Sequence, residues 1–225
     1  MTQSILSSFI LLGTLPALCA AGDLSKYRDF QLGTGLAEIA KQIGGDPSLA
    51  RTIHRRPALM QELEWRPRSL GPSSGAEAVE GVVFGFYDGS LFRITVRYGR
   101  YETEGMIADD LVEAISATYG PAVGPTTAAV TAEQGPYGDQ EHVLARWEDT
   151  SCRFELVSTS YGPSFKLTGV LKTVEAKATA ANLEARRMDD LEAPQRDSAR
   201  IANEEQLARA KLEKARLVNK PKFRP

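Results

Sequence analysis

Residues 82–96 read Val82-Val83-Phe84-Gly85-Phe86-Tyr87-Asp88-Gly89-Ser90-Leu91-Phe92-Arg93-Ile94-Thr95-Val96. Val82, Phe84 and Phe86 fall on one face of an extended chain, and Phe92, Ile94 and Val96 share a face of the next. Asp88-Gly89 marks the reversal between them. A two-residue turn would set Phe84 opposite Arg93 and Val82 opposite Thr95, mixing apolar with polar positions. A three-residue loop, Tyr87-Asp88-Gly89, sets Phe84 opposite Phe92 and Val82 opposite Ile94, and is the expected connection. The stretch reads as an antiparallel hairpin with one buried face.

Upstream, Thr34 is the expected N-cap of a helix carrying Leu36, Ile39, Ala40 and Ile43 on one side, stopped at Gly44-Gly45. Asp46-Pro47 then predicts a short second helix ending before Pro57, with His54, Arg55 and Arg56 at its carbonyl end. Leu59, Leu63 and Trp65 alternate with Met60, Glu62 and Glu64 as a half-buried strand, and residues 68–78 form a turn-rich loop. Downstream, Asp109 and Asp110 open a helix bearing Leu111, Ala114, Ile115 and Thr118, which closes at Gly120-Pro121. After a loop over 120–138, Val143/Ala145/Trp147, Cys152/Phe154/Leu156 and Phe165/Leu167 predict three more strands. Trp147 is expected to face Cys152, and Ala145 to face Phe154. The expected fold class is α+β: two tandem modules of one helix and three antiparallel strands, about 22–100 and 101–171, within a body spanning 22–171.

Residues 172–225 are a different physical object. They hold 13 Lys/Arg and 9 Asp/Glu, against 14 and 20 in residues 1–171, so an acidic body of net -6 carries a basic tail of net +4. The tail lacks glycine and is rich in Ala, Glu, Lys, Arg and Leu, so it reads as helical. Pro194 is expected to split it into two helices, the second about Arg196 to Val218. Ile201, Ala208, Leu212 and Ala215 make only a narrow stripe, too thin for a coiled-coil seam. Truncation at Leu171 is therefore expected to leave thermal unfolding nearly unchanged. Lys211, Lys214, Arg216, Lys220, Lys222 and Arg224 against the single acid Glu213 give the end a formal +5. Such a partly disordered arm is expected to touch anionic lipid weakly.

Ile5–Leu18 is an uncharged, mostly apolar run followed by small residues, and it predicts a signal peptide over 1–21 cleaved near Ala21. The run is too short to cross a bilayer as a helix. A lipidated Cys19 is disfavoured because Leu18 stands where a small residue is needed. Export to the periplasm or the medium follows as an expectation. Cleavage would leave Cys152 as the one cysteine of the mature chain, so stability must come from packing rather than a disulfide.

Phe30-Gln31-Leu32-Gly33-Thr34-Gly35-Leu36-Ala37-Glu38 leading to Ile43-Gly44, then Phe86-Tyr87-Asp88-Gly89-Ser90-Leu91, resembles small exported modules of the outer-membrane-assembly lipoprotein and β-lactamase-inhibitor-protein class. Glu104-Gly105 and Ala114-Ile115-Ser116-Ala117-Thr118-Tyr119-Gly120 resemble stretches of uncharacterised exported bacterial proteins. The resemblance covers residues 27 to about 170. It implies helices preceding antiparallel strands and binding to other proteins, and it carries over no functional residue.

Chemistry has few candidates. Two cysteines and two histidines all but exclude a Cys/His zinc site, and a net charge of -2 gives no large field for nucleic acid. Gly71-Pro72-Ser73-Ser74-Gly75 matches a nucleophile elbow with His142 downstream, but a strand rather than a helix follows it. A Cys152–His142 pair fails on distance. Glu102, Glu104, Asp109, Asp110 and Glu113 lack the alternating spacing of a calcium loop. Two function classes remain: a non-catalytic envelope protein that binds another protein, and a small hydrolase using Glu62, Glu64 or Glu155. The first is the primary expectation, with no catalytic residue, cofactor or metal.

Overall fold

The computed structural model describes residues 22–67, 78–123, 141–159, 165–222 and 224. The expected export segment, the Ser73 elbow and most of the loop over 120–138 lie outside those residues. Strands β1 (Lys26–Tyr27) and β2 (Phe30–Gln31) form a small hairpin before helix α1 (Leu36–Gln42). Strands β3 (Arg51–His54), β4 (Met60–Trp65), β5 (Val79–Tyr87) and β6 (Ser90–Tyr98) follow, then helix α2 (Ala108–Tyr119). Strands β7 (Glu141–Glu148), β8 (Cys152–Thr159) and β9 (Phe165–Leu171) lead directly into helix α3 (Lys172–Asn219).

The fold is α+β, as the strand and helix periodicities imply. Strands β3 to β9 form one seven-stranded antiparallel sheet in the order β3-β4-β5-β6-β9-β8-β7. Each expected module contributes a helix followed by a meander, α1 before β4-β5-β6 and α2 before β7-β8-β9. The meanders join through β6 and β9, where Ile94 faces Gly169 and Val96 faces Leu167. Apart from the extra edge strand β3, the order is palindromic about that seam, the arrangement a two-fold relation between the modules produces. One hydrophobic core runs under both, so they share their packing.

The decisive hairpin resolves in a way neither candidate register allowed. Asp88 and Gly89 both have positive φ, 48° and 79°, so the reversal is a two-residue turn. A bulge then inserts Phe92, because Phe86 faces Leu91 while Gly85 faces Arg93. The insertion restores apolar pairing, with Phe84 opposite Ile94 and Val82 opposite Val96. It also sends Leu91 into the main core and Phe92 to the opposite face of the sheet. Asp88 is held in its unusual conformation by Leu59, whose N–H donates to Asp88 Oδ1 at 2.9 Å and whose carbonyl accepts from Asp88 N–H at 2.8 Å.

Other expectations shift locally. Gly35, not Thr34, caps α1, because the Thr34 carbonyl already accepts from Leu91 N–H at 2.9 Å. Asp46 does cap a short 3-10 turn, Pro47–Leu49, accepting from Ser48 N–H at 2.8 Å. That helix stops at once, however, because Thr52 and His54 pair with Gln61 and Met60 in the sheet. His54 therefore lies on a strand rather than at a helix end. Trp147 faces Phe154 and Ala145 faces Leu156, two residues beyond the expected register on the same face.

The core lies between the sheet and the elements α1, α2 and residues 24–32. Phe30 packs edge-on to Phe84 at 4.8 Å and to Trp65 at 5.5 Å, and Tyr119 stacks on Phe154 at 4.7 Å. Asp110 Oδ2 accepts from Ile107 N–H at 2.9 Å, satisfying one open donor at the start of α2. Gly169 makes room for Phe154, whose ring would lie 2.3 Å from a Cβ at that position.

The opposite face is covered by α3, which corrects the reading of residues 172–225 as a separable tail. Ala178, Ala181 and Ala185 are buried, and Ala178 closes over Met60 and Phe92 with Val174 and Leu171 alongside. Alanines suit this seam because they let the helix approach the strands closely. Its start is pinned by Lys172, whose Nζ pairs with Glu148 at 2.8 Å and donates to the Asp149 carbonyl at 2.6 Å. Arg56 pairs with Glu192 at 2.9 Å near the end of the docked region.

Pro194 does not split the helix. A proline deletes one N–H and leaves the preceding turn short of a donor. The carbonyl that loses its donor is four residues back, at Asp190, yet α3 continues to Asn219. Around the proline, Arg196 donates to the Asp189 carbonyl at 2.8 Å and the Ser198 hydroxyl to the Pro194 carbonyl at 2.8 Å. From residue 194 to 222 the chain is exposed throughout. At 1.5 Å per residue, α3 is about 72 Å long, and more than a third of that length projects from the body. A helix with no packed face relies on local pairs, and Arg200–Glu204 at 3.0 Å and Arg209–Glu205 at 3.3 Å supply them.

Candidate functional site

Two places offer chemistry: the outward face of β6, β9, β8 and β7 beside α3, and the free end of α3. On the sheet, alternation sends Ile94, Leu167, Leu156 and Ala145 into the core. Their neighbours Thr95, Thr168, Glu155 and Arg146 line up across four strands on the other side. Arg93 and Arg153 flank this row next to α3, and Lys166 flanks it on the far side. The threonines are short, so a groove of about 330 Å³ remains above them.

Its charged groups form a chain. Arg146 pairs with Glu155 at 2.6 Å, Glu155 with Arg153 at 3.4 Å, and Arg153 with Glu175 of α3 at 2.8 Å. Glu175 also lies 3.9 Å from Arg93, while Lys166 pairs separately with Glu141 at 2.6 Å. These pairs are partly buried and share partners, so they hold one another's geometry more firmly than isolated surface pairs. The seam with α3 is less complete. The buried atoms Arg93 Nε, Arg153 Nε and Asn182 Oδ1 have no hydrogen-bond partner among the described residues. The Arg93 side chain makes no hydrogen bond among the described residues, and its guanidinium rests 5.3 Å from the Phe92 ring centre.

The carboxylates named from the sequence do not converge. Glu62 is paired to Arg51 at 2.9 Å. Glu64 accepts from Arg97 at 2.5 Å and Arg66 at 3.1 Å, and these hydrogen bonds hold its carboxyl below the usual range. A general acid needs the opposite shift. Glu155 lies four strand spacings away, about 19 Å. Cys152 is buried, and burial pushes its thiol upward, away from the reactive thiolate. His142 faces Ser158, six residues along β8 from Cys152 and so about 20 Å distant. Among the described residues no three His, Cys, Asp or Glu side chains come together as metal ligands.

The basic residues named from the sequence lie on the projecting part. Lys211, Lys214 and Arg216 sit on the last turns of α3, and Lys220 and Lys222 in a 3-10 turn around Pro221. All five, with Arg224, are exposed, and none makes an ion pair among the described residues. No helix among the described residues is long and apolar enough to cross a membrane.

Apart from Glu155, the groove residues escaped the sequence reading, although a signal was present. Arg93/Thr95/Arg97, Arg146/Glu148, Arg153/Glu155 and Lys166/Thr168 occupy the polar positions of alternating strands. Only the strand order, β9 between β6 and β8, brings those positions together. No protein-family model matches this chain, and no curated protein or solved structure matches it either.

Proposed function

We propose that this chain is a non-catalytic exported protein of the cell envelope, in which a rigid α+β body presents a helical arm to its partners. The observation that carries the reading is the continuation of α3 past Glu192, exposed on every side and ending in cations that have no ion-pair partner among the described residues. A helix with no surface to bury gains nothing for the body, so its use lies in contact with something else. Each basic residue near an anionic leaflet contributes on the order of 1 kcal/mol, enough for weak, salt-sensitive adhesion. A protein partner in the envelope is the companion proposal, supported by Leu207, Leu212 and Leu217, which stay exposed between the charges. The hydrolase alternative finds no support in carboxylates that are separated and held by arginines.

Export rests on the apolar run Ile5–Leu18 with Cys19 and Ala21 after it. N-terminal sequencing of protein recovered from cells is expected to begin just after Ala21; an intact Met1 contradicts export by this route. For the arm, sedimentation with anionic liposomes is expected at low salt. It should vanish at 1 M salt, where the Debye length falls to about 3 Å. It should also vanish on deleting residues 211–225. Equal binding to neutral liposomes, or no change on deletion, refutes the lipid contact.

A further inference from the structure

The groove over Thr95 and Thr168 is independent of the arm, and its charge and donor pattern describe a ligand. We propose that it binds a small monocarboxylate that also carries hydroxyl groups, the chemistry of a sugar acid. Four cations (Arg93, Arg146, Arg153 and Lys166) and three carboxylates (Glu141, Glu155 and Glu175) line it, a net of +1. A monoanion neutralises that excess, whereas a dianion reverses it and meets three carboxylates.

The cation left over is Arg93. Its closest carboxylate oxygen, 3.9 Å away on Glu175, is beyond hydrogen-bond range, and Arg153 holds that same carboxylate at 2.8 Å. A planar guanidinium offers paired donors that match a carboxylate. The Thr95 and Thr168 hydroxyls, paired across β6 and β9, are without a hydrogen bond among the described residues and add donors on the floor. Acceptors are present as well. Both arginine contacts to Glu155 fall on Oε1, and Lys166 meets Oε1 of Glu141. The second oxygen of each carboxylate is left for ligand hydroxyls. A groove of about 330 Å³ holds a molecule the size of one sugar ring.

The test is an NMR titration of the full chain with glucuronate, with glucose and inorganic phosphate as comparisons. Glucuronate is expected to shift the Thr95, Glu155 and Thr168 amides with a Kd on the order of 1 mM. Glucose and phosphate should bind at least about tenfold more weakly, since each lacks one half of the match. Arg93→Gln should weaken glucuronate binding about tenfold while the rest of the spectrum is retained. Should Arg93→Gln fail to fold, Thr168→Val, which removes only a hydroxyl, is expected to weaken it several-fold. The proposal is overturned by absence of shifts at these amides at about fifty times that Kd. Equal binding of glucose or phosphate overturns it, as does undiminished binding in a folded Arg93→Gln or Thr168→Val variant. None of these results bears on the lipid contact of residues 211–225, so the two readings stand or fall separately.

Discussion

Trp147→Ala is expected to destabilise the protein by about 4 kcal/mol, in the range for removing a large aromatic from a core. Trp147 is 1% exposed and lies on β7 opposite Phe154. Its indole Nε1 donates to Ser116 Oγ at 3.2 Å and to the Gly120 carbonyl at 3.0 Å. The side chain thus fills the core and ties the end of α2 to the sheet. Substitution leaves a cavity and a carbonyl at the helix end without this donor. For a chain of this size the loss corresponds to a fall in Tm of about 8–16 °C, read by calorimetry or circular dichroism. Trp147→Phe keeps most of the volume but not the N–H, and should cost about 1–2 kcal/mol. A Trp147→Ala protein that melts within a few degrees of the native chain contradicts the packing described.

The second large effect concerns where the body ends. A chain stopped at Leu171 loses the cover over Met60 and Phe92, which are 6% and 3% exposed in the intact protein. Returning each to water costs about 1.5–3 kcal/mol, so the truncation should cost about 3–6 kcal/mol. Arg153 also loses Glu175 and is left half-buried beside one carboxylate instead of two. A chain stopped at Ala193 keeps the alanine seam and the Arg56–Glu192 pair, and should unfold within about 1 °C of the full chain, because exposed pairs beyond that point contribute little. Equal melting of all three chains would show that α3 merely lies against the sheet. That result would restore the expectation, drawn from composition, that residues 172–225 form a separable tail.

The composition reading failed there for a physical reason. Ala178, Ala181 and Ala185 are neutral in any hydrophobic pattern, so a helix that docks through alanine shows no apolar stripe. The complementary surface, Met60 and Phe92, was equally hidden. Met60 sat on the polar side of an alternating strand, and Phe92 reached the helix-facing side only through a bulge. Bulges are set by the competition between turn geometry and burial, and neither a two- nor a three-residue loop describes a turn followed by an insertion. What could be read was the class of fold, the existence of both short helices and the buried faces of β5, β6, β7, β8 and β9. Those signals are local and periodic.

The groove was illegible for a different reason. Its residues are the polar half of otherwise apolar strands, and they become neighbours only when β9 inserts between β6 and β8. The basic end of α3, by contrast, was fully legible, because a run of like charges needs no tertiary partner to be recognised. What composition missed was its continuity, one helix running through Pro194 rather than two helices broken there.

Residue-resolved hydrogen exchange on the full chain, with and without anionic vesicles at low salt, tests most directly the claim that α3 is half body and half working arm. Without vesicles, amides 174–192 should exchange slowly with the sheet, while those from 196 to 219 should exchange rapidly, as a helix with no packing partner does. With vesicles, protection should rise across 205–219 and stay unchanged in the body. Uniform exchange along all of α3 would contradict the division at Pro194. An arm that remains unprotected on vesicles would contradict its proposed role.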